Sequence, residues 1–303
     1  MRPLTLDFAS NWSKTTAILN PVSVKGDAPL IKLSYELAFA GIELLLDPQF
    51  FDPSANKTNL PEYKYWPKSY DPAHFFTSPK LHEMLKDLLE LNDRTNVSKY
   101  IFPGTTCNQV DDEWLQNQLE IITEATNIAG KGKNRLATIH ISTQVIRAKE
   151  ELEYLLNELI KWDIDGYYVI AEHPKPDLVI VEDETWLINF LYFCGGLKTN
   201  GKEVVVGYGG PQQLCFVAAG VDALATGPAK TCKSLDIKKK FYKPLKKGGG
   251  SSGPLYFCSR TLSEYSLEYL DTLDTKTLNL LKPDPSHQSN YANNLFTSNK
   301  PST

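Results

Sequence analysis

The chain has 303 residues, of which 42% are hydrophobic and 11% aromatic, and its formal net charge is -4. This apolar content excludes a disordered chain, and the small net charge argues against a molecule that is built as a whole to bind a polyanion. The length suits one large domain or two domains of ordinary size.

The cysteines are odd in number and widely spaced, and no two of them form a Cys-x-x-Cys pair. This pattern argues against a zinc ribbon and predicts a reducing compartment. The amino terminus has no basic-then-apolar signal region, and no apolar run reaches the roughly 20 residues of a membrane span. We therefore expect a soluble, cytoplasmic protein with no membrane partner. The five cysteines are Cys107, Cys194, Cys215, Cys232 and Cys258.

Short runs rich in β-branched and aromatic residues alternate with segments whose apolar residues recur three and four positions apart. The runs predict eight strands, at Leu4–Ala9, Ile42–Asp47, Tyr100–Pro103, Ala137–Ser142, Gly166–Glu172, Glu203–Tyr208, Val221–Ala225 and Leu255–Ser259. The periodic segments predict helices at Leu81–Leu91, Asp112–Ile128, Gln144–Lys161, Thr185–Leu197, Pro211–Ala219 and Leu262–Leu281.

This alternation predicts an α/β protein, a single (β/α)8 TIM-type barrel over residues 1–282. An open, doubly wound sheet would show the same local alternation and is the alternative. The closed barrel requires its first strand, Leu4–Ala9, to pair with its last strand, Leu255–Ser259.

Three regions depart from the alternation. Residues 47–79 form a long insertion dense in Tyr, Phe and Trp, which predicts a packed cover rather than a disordered loop. Residues 230–253 combine a run of lysines with a Gly/Ser-rich stretch, and residues 283–303 are polar and are predicted to be a flexible tail.

Candidate catalytic groups stand at the carboxyl ends of the predicted strands, where β/α barrels place their working residues. His140 ends one strand, and Glu172 and His173 end the next, so they predict an acid/base pair or two metal ligands. Asp7 is a fourth catalytic candidate. The alternative makes His140 a hydrogen-bonded core residue and Glu172 part of a solvated turn. No third metal ligand is obvious beyond Asp7 or Asp47, so no metal site is predicted, and the sequence identifies no cofactor.

A glycine-rich stretch predicts a ligand site. Gly209 and Gly210 follow the sixth predicted strand, and Thr226 and Gly227 follow the seventh. Uncovered backbone amides beside the start of a helix favour an anion, so we expect a small phosphorylated or nucleotide-like ligand. The alternative is that these glycines only allow tight turns.

The lysine run predicts a contact with nucleic acid, with RNA as the candidate partner, and a solvated helix face is the alternative. No lysine falls clearly at a strand end, so the sequence does not predict a Schiff-base lysine. The predicted nucleic-acid contacts are Lys230, Lys233, Lys238, Lys239 and Lys240.

The stretch Gly207-Tyr-Gly-Gly-Pro-Gln-Gln-Leu-Cys-Phe-Val-Ala-Ala-Gly-Val-Asp222 resembles the end of the barrel of the tRNA-guanine transglycosylase family. Gly195-Gly-Leu197 is similar to the family's base-reading Gly-Gly-Leu, without the Gly-Glu that should follow. The resemblance implies a distant relative with altered or lost chemistry, because the nucleophilic aspartate would fall on Ala225 and the family's zinc cysteines are absent.

These features together predict a barrel enzyme with His140 and Glu172 in acid/base roles and its ligand over the glycine-rich ends. The reaction class stays open between a transferase and a lyase or isomerase. The alternative is a non-catalytic barrel protein that binds a ligand or a nucleic acid.

Overall fold

The computed structural model describes residues 5–6, 15–56, 59–130, 132–175, 180–227, 230–242, 255–261, 263–283 and 295–296. It is a mixed α/β structure with parallel strands, as the sequence predicts. The strands are β1 (Thr16–Leu19), β2 (Glu43–Leu46), β3 (Tyr100–Phe102), β4 (Thr106–Cys107), β5 (Arg135–Ile141), β6 (Gly166–Ala171), β7 (Glu203–Gly207), β8 (Ala223–Leu224), β9 (Leu255–Cys258) and β10 (Ser263–Ser266).

The helices lie between these strands and after them. The α-helices are α1 (Asp27–Phe39), α2 (Pro79–Arg94), α3 (Asp112–Ala129), α4 (Thr143–Arg147), α5 (Lys149–Leu159), α6 (Glu184–Thr199), α7 (Ile237–Phe241), α8 (Leu267–Leu270) and α9 (Thr275–Leu281). Four 3-10 helices cover Pro21–Ser23, Leu60–Glu62, Pro211–Ala219 and Lys230–Cys232. Within the described residues, no helix has the length and the apolar character needed to cross a membrane.

The parallel strands follow one another in space as they do in sequence. β1 pairs with β2, and a second sheet runs in the order β3-β5-β6-β7-β8, with β4 also on β5. Two backbone hydrogen bonds connect the sheets, from Ser98 to Leu44 and from Thr106 to Phe51, each 2.9 Å long. The carboxyl ends of these strands therefore lie on one side of the molecule.

The described residues do not show the predicted barrel closure. β9 pairs antiparallel with β10, with Tyr256 opposite Tyr265, and no closed sheet forms among the described residues. β9 contributes to a small separate core made of Tyr256, Cys258, Leu267, Leu270 and Leu281. Of the predicted strand Leu4–Ala9 only Thr5 and Leu6 are described, and their backbone is helical. The first observed strand is β1, which the sequence analysis missed.

Two predicted helices are broken in the structure. The segment Gln144–Lys161 divides into α4 and α5 at Ala148, whose backbone is extended. The segment Leu262–Leu281 contains β10, α8 and α9, because the side chains of Ser266 and Asp274 each accept a backbone N–H and start a new helix. The predicted helix Pro211–Ala219 has these bounds but is of the 3-10 type.

The aromatic insertion is packed, as predicted. Tyr65 donates a hydrogen bond from its hydroxyl to the carbonyl oxygen of Pro48 at 2.8 Å, and Phe50 and Trp66 stack edge to face at 5.7 Å. Its described part contributes seven buried aromatic side chains: Phe50, Phe51, Tyr63, Tyr65, Trp66, Phe75 and Phe76. The insertion follows β2 directly, so it covers the carboxyl ends of the strands.

Gly104 allows β4 to approach β5 and provides a test of this packing. A Cβ at Gly104 would lie 2.1 Å from the carbonyl oxygen of Thr138, whereas one at Gly195 in α6 would lie 3.7 Å from the Cβ of Ala219. We expect Gly104→Ala to lower the free energy of unfolding by about 1–3 kcal/mol, because the backbone must shift. Gly195→Ala, the control, should raise it by up to about 1 kcal/mol through helix propensity. Urea unfolding measures both, and equal midpoints would contradict the close approach.

Candidate active site

A buried hydrogen bond joins the ends of two strands from different sheets. Asp47 follows β2 and Tyr208 follows β7, and the Tyr208 hydroxyl donates to Asp47 Oδ2 at 2.7 Å. The backbone N–H of Gln49 donates to Asp47 Oδ1 at 2.9 Å, and Gln49 Nε2 donates to the Tyr208 hydroxyl oxygen at 3.0 Å. The Tyr168 hydroxyl, from β6, is 3.4 Å from Asp47 Oδ2. All four side chains are buried.

Two members of this group have strained backbones. Gln49 has a φ of 56° and Tyr208 a φ of 57°, in the left-handed region, and Asn96 is the one other described residue besides glycine with a positive φ. Such a conformation costs about 1–3 kcal/mol per residue and persists where the surroundings enforce it. Because Gln49 and Tyr208 hydrogen-bond to each other, their strain is concentrated in a single cluster. Backbone strain of this kind is typical of functional sites.

Lys240 brings an amino group to the same cluster. The side chain comes from α7 and is 7% exposed, and its Nζ lies 4.1 Å from the centre of the Tyr208 ring. Nζ has no hydrogen-bond partner among the described residues. Burial lowers the pKa of Lys240 to about 8, although the nearby Cys232 thiol and Asp47 carboxylate act in the opposite direction. A fraction of the Lys240 amino groups is therefore unprotonated near neutral pH.

The pKa of Asp47 is shifted upwards, in the opposite direction to that of Lys240. Burial raises its pKa to about 6, and the hydrogen bonds from Tyr208 and Gln49 and the charge of Lys240 only partly offset that effect. The pKa values of the carboxyl and the amine thus lie on either side of neutral pH. A pair of groups tuned in this way can take up and release protons during a reaction.

His140 lies beside this cluster as a neutral base. Its Nδ1 is 2.8 Å from Thr106 Oγ1, and the Thr106 hydroxyl donates its own hydrogen to the Phe51 carbonyl at 2.9 Å. Nδ1 must therefore carry the proton and donate it to Thr106, which leaves a lone pair on Nε2. His140 is fully buried, its Nε2 has no partner among the described residues, and burial lowers its pKa to about 3.

Glu172 and His173 hold structural contacts. The Glu172 carboxylate accepts a hydrogen bond from the Thr143 backbone N–H at 2.9 Å. This bond satisfies one of the backbone donors that have no partner within the first turn of α4. His173 is buried beside the Trp186 ring, and its Nδ1 accepts the Lys175 backbone N–H at 3.1 Å. No hydrogen bond between His140 and Glu172 occurs in the described part of the chain, and their acid/base roles stay a prediction. Asp7, the fourth catalytic candidate, lies outside the described residues.

Packing explains the glycines that follow β7 and β8. The Gly209 amide donates to the Ala225 carbonyl at 2.8 Å, and the Gly210 amide donates to Gln213 Oε1. A Cβ at Gly209 would lie 2.4 Å from Leu224 Cδ1, and one at Gly227 would lie 2.8 Å from Cys232 Cβ. Thr226 is exposed. The Gly209 and Gly210 amides, two of those expected to hold an anion, are therefore already used within the chain.

Burial contradicts two of the predicted nucleic-acid contacts. Lys233 is buried in an ion pair with Glu264, and Lys240 is buried over Tyr208, so neither amino group can reach a phosphate. Lys230 is half-buried and Lys238 is exposed, while the Lys239 side chain lies outside the described part.

A cleft of about 1540 Å³ opens over the same end of the strands. Its walls include Phe51 and Thr106, which both contact His140, and the Phe51 ring also contacts Tyr208 at 6.2 Å and Phe241 at 5.6 Å. Phe51 therefore separates the cleft from the buried groups. The charged residues among those lining the cleft are Asp52, Asp111, Glu113, Glu172, Asp236 and Lys238. This excess of carboxylates disfavours an anionic ligand.

No protein-family model matches the chain, and no curated protein is similar to it. Of the residues that carry the resemblance to the transglycosylases, Ala225 directly follows β8 and Gly195 to Leu197 lie within α6. Leu197 is buried there. The resemblance stays a prediction.

Part of this site could be recognised in the sequence. Asp47 was placed at a strand end and considered only as a metal ligand, and Lys240 was predicted to contact nucleic acid. Tyr208 lies within the glycine-rich stretch, where only the glycines were predicted to have a role. The signal that could have found Lys240 is its neighbour Phe241, because an apolar residue inside a lysine run indicates that one face of the segment is buried.

Asp47→Asn tests the buried carboxyl. The pKa of Asp47 is about 6 in the folded protein against an ordinary 3.8, so the folded state binds the proton more tightly than the unfolded chain. Relative to the variant, the parent protein should lose up to about 3 kcal/mol of stability as the pH rises from about 4 to about 6. Urea unfolding of both proteins across this range measures the difference. A difference independent of pH would show that the carboxyl is not desolvated.

Proposed function

We propose that this protein is an enzyme whose reacting groups are Lys240, Asp47 and Tyr208, with a ligand that reaches them from the cleft beside Phe51. The observation that carries the proposal is the Lys240 amino group, which is buried at the carboxyl ends of the parallel strands without a hydrogen-bond partner among the described residues. Catalytic groups of α/β proteins collect at this end of their strands.

The energetics favour a functional over a structural role for Lys240. Burying an unpaired ammonium costs several kcal/mol, even after the surroundings relax. The contact with the Tyr208 ring returns about 2 kcal/mol at most, since that is the strength of a desolvated cation–π contact. A methionine of similar length would fill the same space without this cost. The amine of Lys240 therefore serves a function rather than the stability of the fold.

Each of the three groups has a distinct chemical role. Lys240 supplies an amine that is readily deprotonated, and Asp47 can accept its proton. Burial and the neighbouring Asp47 charge raise the pKa of Tyr208 well above its ordinary value, so its phenol stays protonated and remains a hydrogen-bond donor. This combination suits proton transfer to and from a ligand, or attack by the amine on a ligand.

The proposed ligand is small and uncharged, rather than phosphorylated or nucleotide-like. Carboxylates outnumber amines around the cleft, and the Gly209 and Gly210 amides donate within the chain. Both features work against a phosphate group.

We also propose that the mixed α/β structure is an incomplete β/α barrel. It is supported by the order of the parallel strands and by the contact between the ends of β2 and β7 across the sheets. A distant relation to the transglycosylases is compatible with this architecture. The proposed chemistry does not depend on that relation, because Asp47 and Lys240 lie outside the stretches that carry the resemblance.

Lys240→Met separates the functional role from a structural one. The folded pKa of Lys240 is about 8 against an ordinary 10.5, so the cost of the buried charge is complete below pH 8 and disappears towards pH 10.5. We expect the variant to be more stable than the parent at pH 7, and this advantage to shrink by up to about 3 kcal/mol across that interval.

The control is Lys161→Met, which removes an exposed lysine paired with Glu158 at 2.7 Å. It should change stability by no more than about 0.5 kcal/mol at pH 7, because an exposed ion pair contributes little. A Lys240→Met variant that is less stable than the parent at pH 7 would indicate that the amine is structural.

A thermal-shift screen of small metabolites, grouped by charge, tests the ligand site. At a concentration 100 times its Kd, a ligand stabilises the protein by about 2.7 kcal/mol, which raises Tm by about 5 °C for a chain of this size. We expect such ligands to raise the Tm of the parent and of Lys161→Met but not that of Lys240→Met. Mass spectrometry of each ligand after incubation then distinguishes an enzyme from a binding protein, because only an enzyme converts it. Equal shifts in all three proteins would place the ligand elsewhere.

A further inference from the structure

Lys240 has the surroundings of a lysine that reacts with carbonyl groups. We infer that its amino group condenses with the carbonyl carbon of a small, uncharged aldehyde or ketone substrate to form an imine. This inference rests on the proposed function, and it specifies the substrate class of the same site.

The first step of the argument is the environment of Nζ. It lies 4.1 Å from the centre of the Tyr208 ring and 5.7 Å from that of Phe241, and it makes no hydrogen bond among the described residues. An amine without a hydrogen-bond partner keeps its lone pair available as a nucleophile when it is unprotonated. Desolvation lowers the pKa of Lys240 to about 8, which raises the fraction of free amine at neutral pH.

The second step concerns the proton acceptor. The Asp47 carboxyl is held to Tyr208 at 2.7 Å, and Lys240 lies over the ring of that same tyrosine. The charges of Asp47 and Lys240 also act on each other. One carboxyl group therefore stands close to the amine without being locked into an ion pair with it. The other titratable groups around the amine are Tyr168, Tyr208 and Cys232, and His140 lies beyond Phe51.

The condensation balances with these groups. Asp47 takes a proton from the Lys240 ammonium, and the free amine attacks the carbonyl carbon to form a C–N bond while the C=O π electrons move to oxygen. Proton transfers give a neutral carbinolamine, with one hydrogen on nitrogen and one on oxygen. Asp47 returns its proton to the hydroxyl, the C–O bond breaks, and water leaves as the C=N bond forms. The product is the imine protonated on nitrogen, and the Asp47 carboxylate is regenerated. The step requires no oxidant or reductant.

The third step concerns water and access. Imines survive where water is excluded, and Phe51 and Phe241 form an apolar wall between the amine and the cleft. The Phe51 ring is 2% exposed, so a ligand that approaches Nζ from the cleft at this point must displace the side chain. The acidic lining of the cleft favours a carbonyl compound without a carboxylate or phosphate group.

The experiment traps the imine with a defined probe. The full-length protein is incubated near pH 7 with glycolaldehyde and sodium cyanoborohydride, and peptide mass spectrometry locates the hydroxyethyl groups. Cyanoborohydride reduces an imine to a stable secondary amine but does not fix a reversible adduct on a thiol, so Cys232 does not interfere. Lys161 in the same sample is the internal reference for an exposed lysine.

We expect Lys240 to be modified at least about tenfold faster than Lys161. An amine with a pKa of about 8 carries on the order of a hundredfold more free base at neutral pH than a lysine with the ordinary value of 10.5. Asp47→Asn should slow the modification of Lys240, because the loss of the proton acceptor outweighs the extra free amine that forms when the Asp47 charge is removed. It should leave Lys161 unchanged. Phe51→Leu, which enlarges the passage from the cleft, should accelerate the modification of Lys240.

An unmodified Lys240, or one that reacts no faster than Lys161, in both the parent and Phe51→Leu would overturn the inference. The second variant removes restricted access as an explanation. If the metabolite ligands still depend on Lys240 in the thermal-shift screen, the proposed enzyme stands and Lys240 serves as a proton carrier instead. If that dependence is lost as well, both proposals fail.

Discussion

The hydrogen bond from the Tyr208 hydroxyl to Asp47 is the constraint on which the site depends. It joins residues 161 positions apart in the chain and brings the end of β2 to the end of β7. A carboxyl group moved out of water requires compensation, and here Tyr208 and Gln49 provide it. The same bond fixes the Tyr208 ring, and that ring is the surface on which Lys240 rests. The positions of the Asp47 carboxyl and of the Lys240 amine are thus set together.

The sequence predicted the inner strands well and their closure badly, for one physical reason. β5, β6 and β7 are buried on both faces, so each leaves a nearly continuous apolar run that can be recognised locally. β1 has only four residues, with three of them partly or fully exposed, and it leaves no such run. β9 was correctly predicted as a strand, but a run of residues does not specify its partner. The adjacent β10 provides one at little entropic cost, because the loop that closes is short.

The site was less predictable because tertiary contacts assign its roles. Lys238 and Lys240 belong to the same lysine run, yet one is exposed and the other is buried. The difference arises from the docking of α7 on the aromatic insertion, where the Tyr242 hydroxyl donates to Asp52 at 2.5 Å and Phe241 packs on Phe51. The insertion and the lysine run are distant in sequence, and neither reveals the other. For His140 the structure supports the alternative of a hydrogen-bonded core residue, although its Nε2 keeps a lone pair.

The position of Phe51 determines how any ligand can reach these groups. Its ring contacts His140 on one side and Tyr208 on another, while its carbonyl accepts hydrogen bonds from both the backbone and the hydroxyl of Thr106. The backbone at Phe51 is therefore fixed to β4, and only the side chain is left to move. A ligand that entered from the cleft at Phe51 would therefore have to displace this ring rather than the backbone that carries it. The same ring contacts Tyr208, on which Lys240 lies, so the packing of one side chain links the wall of the cleft to the buried amine.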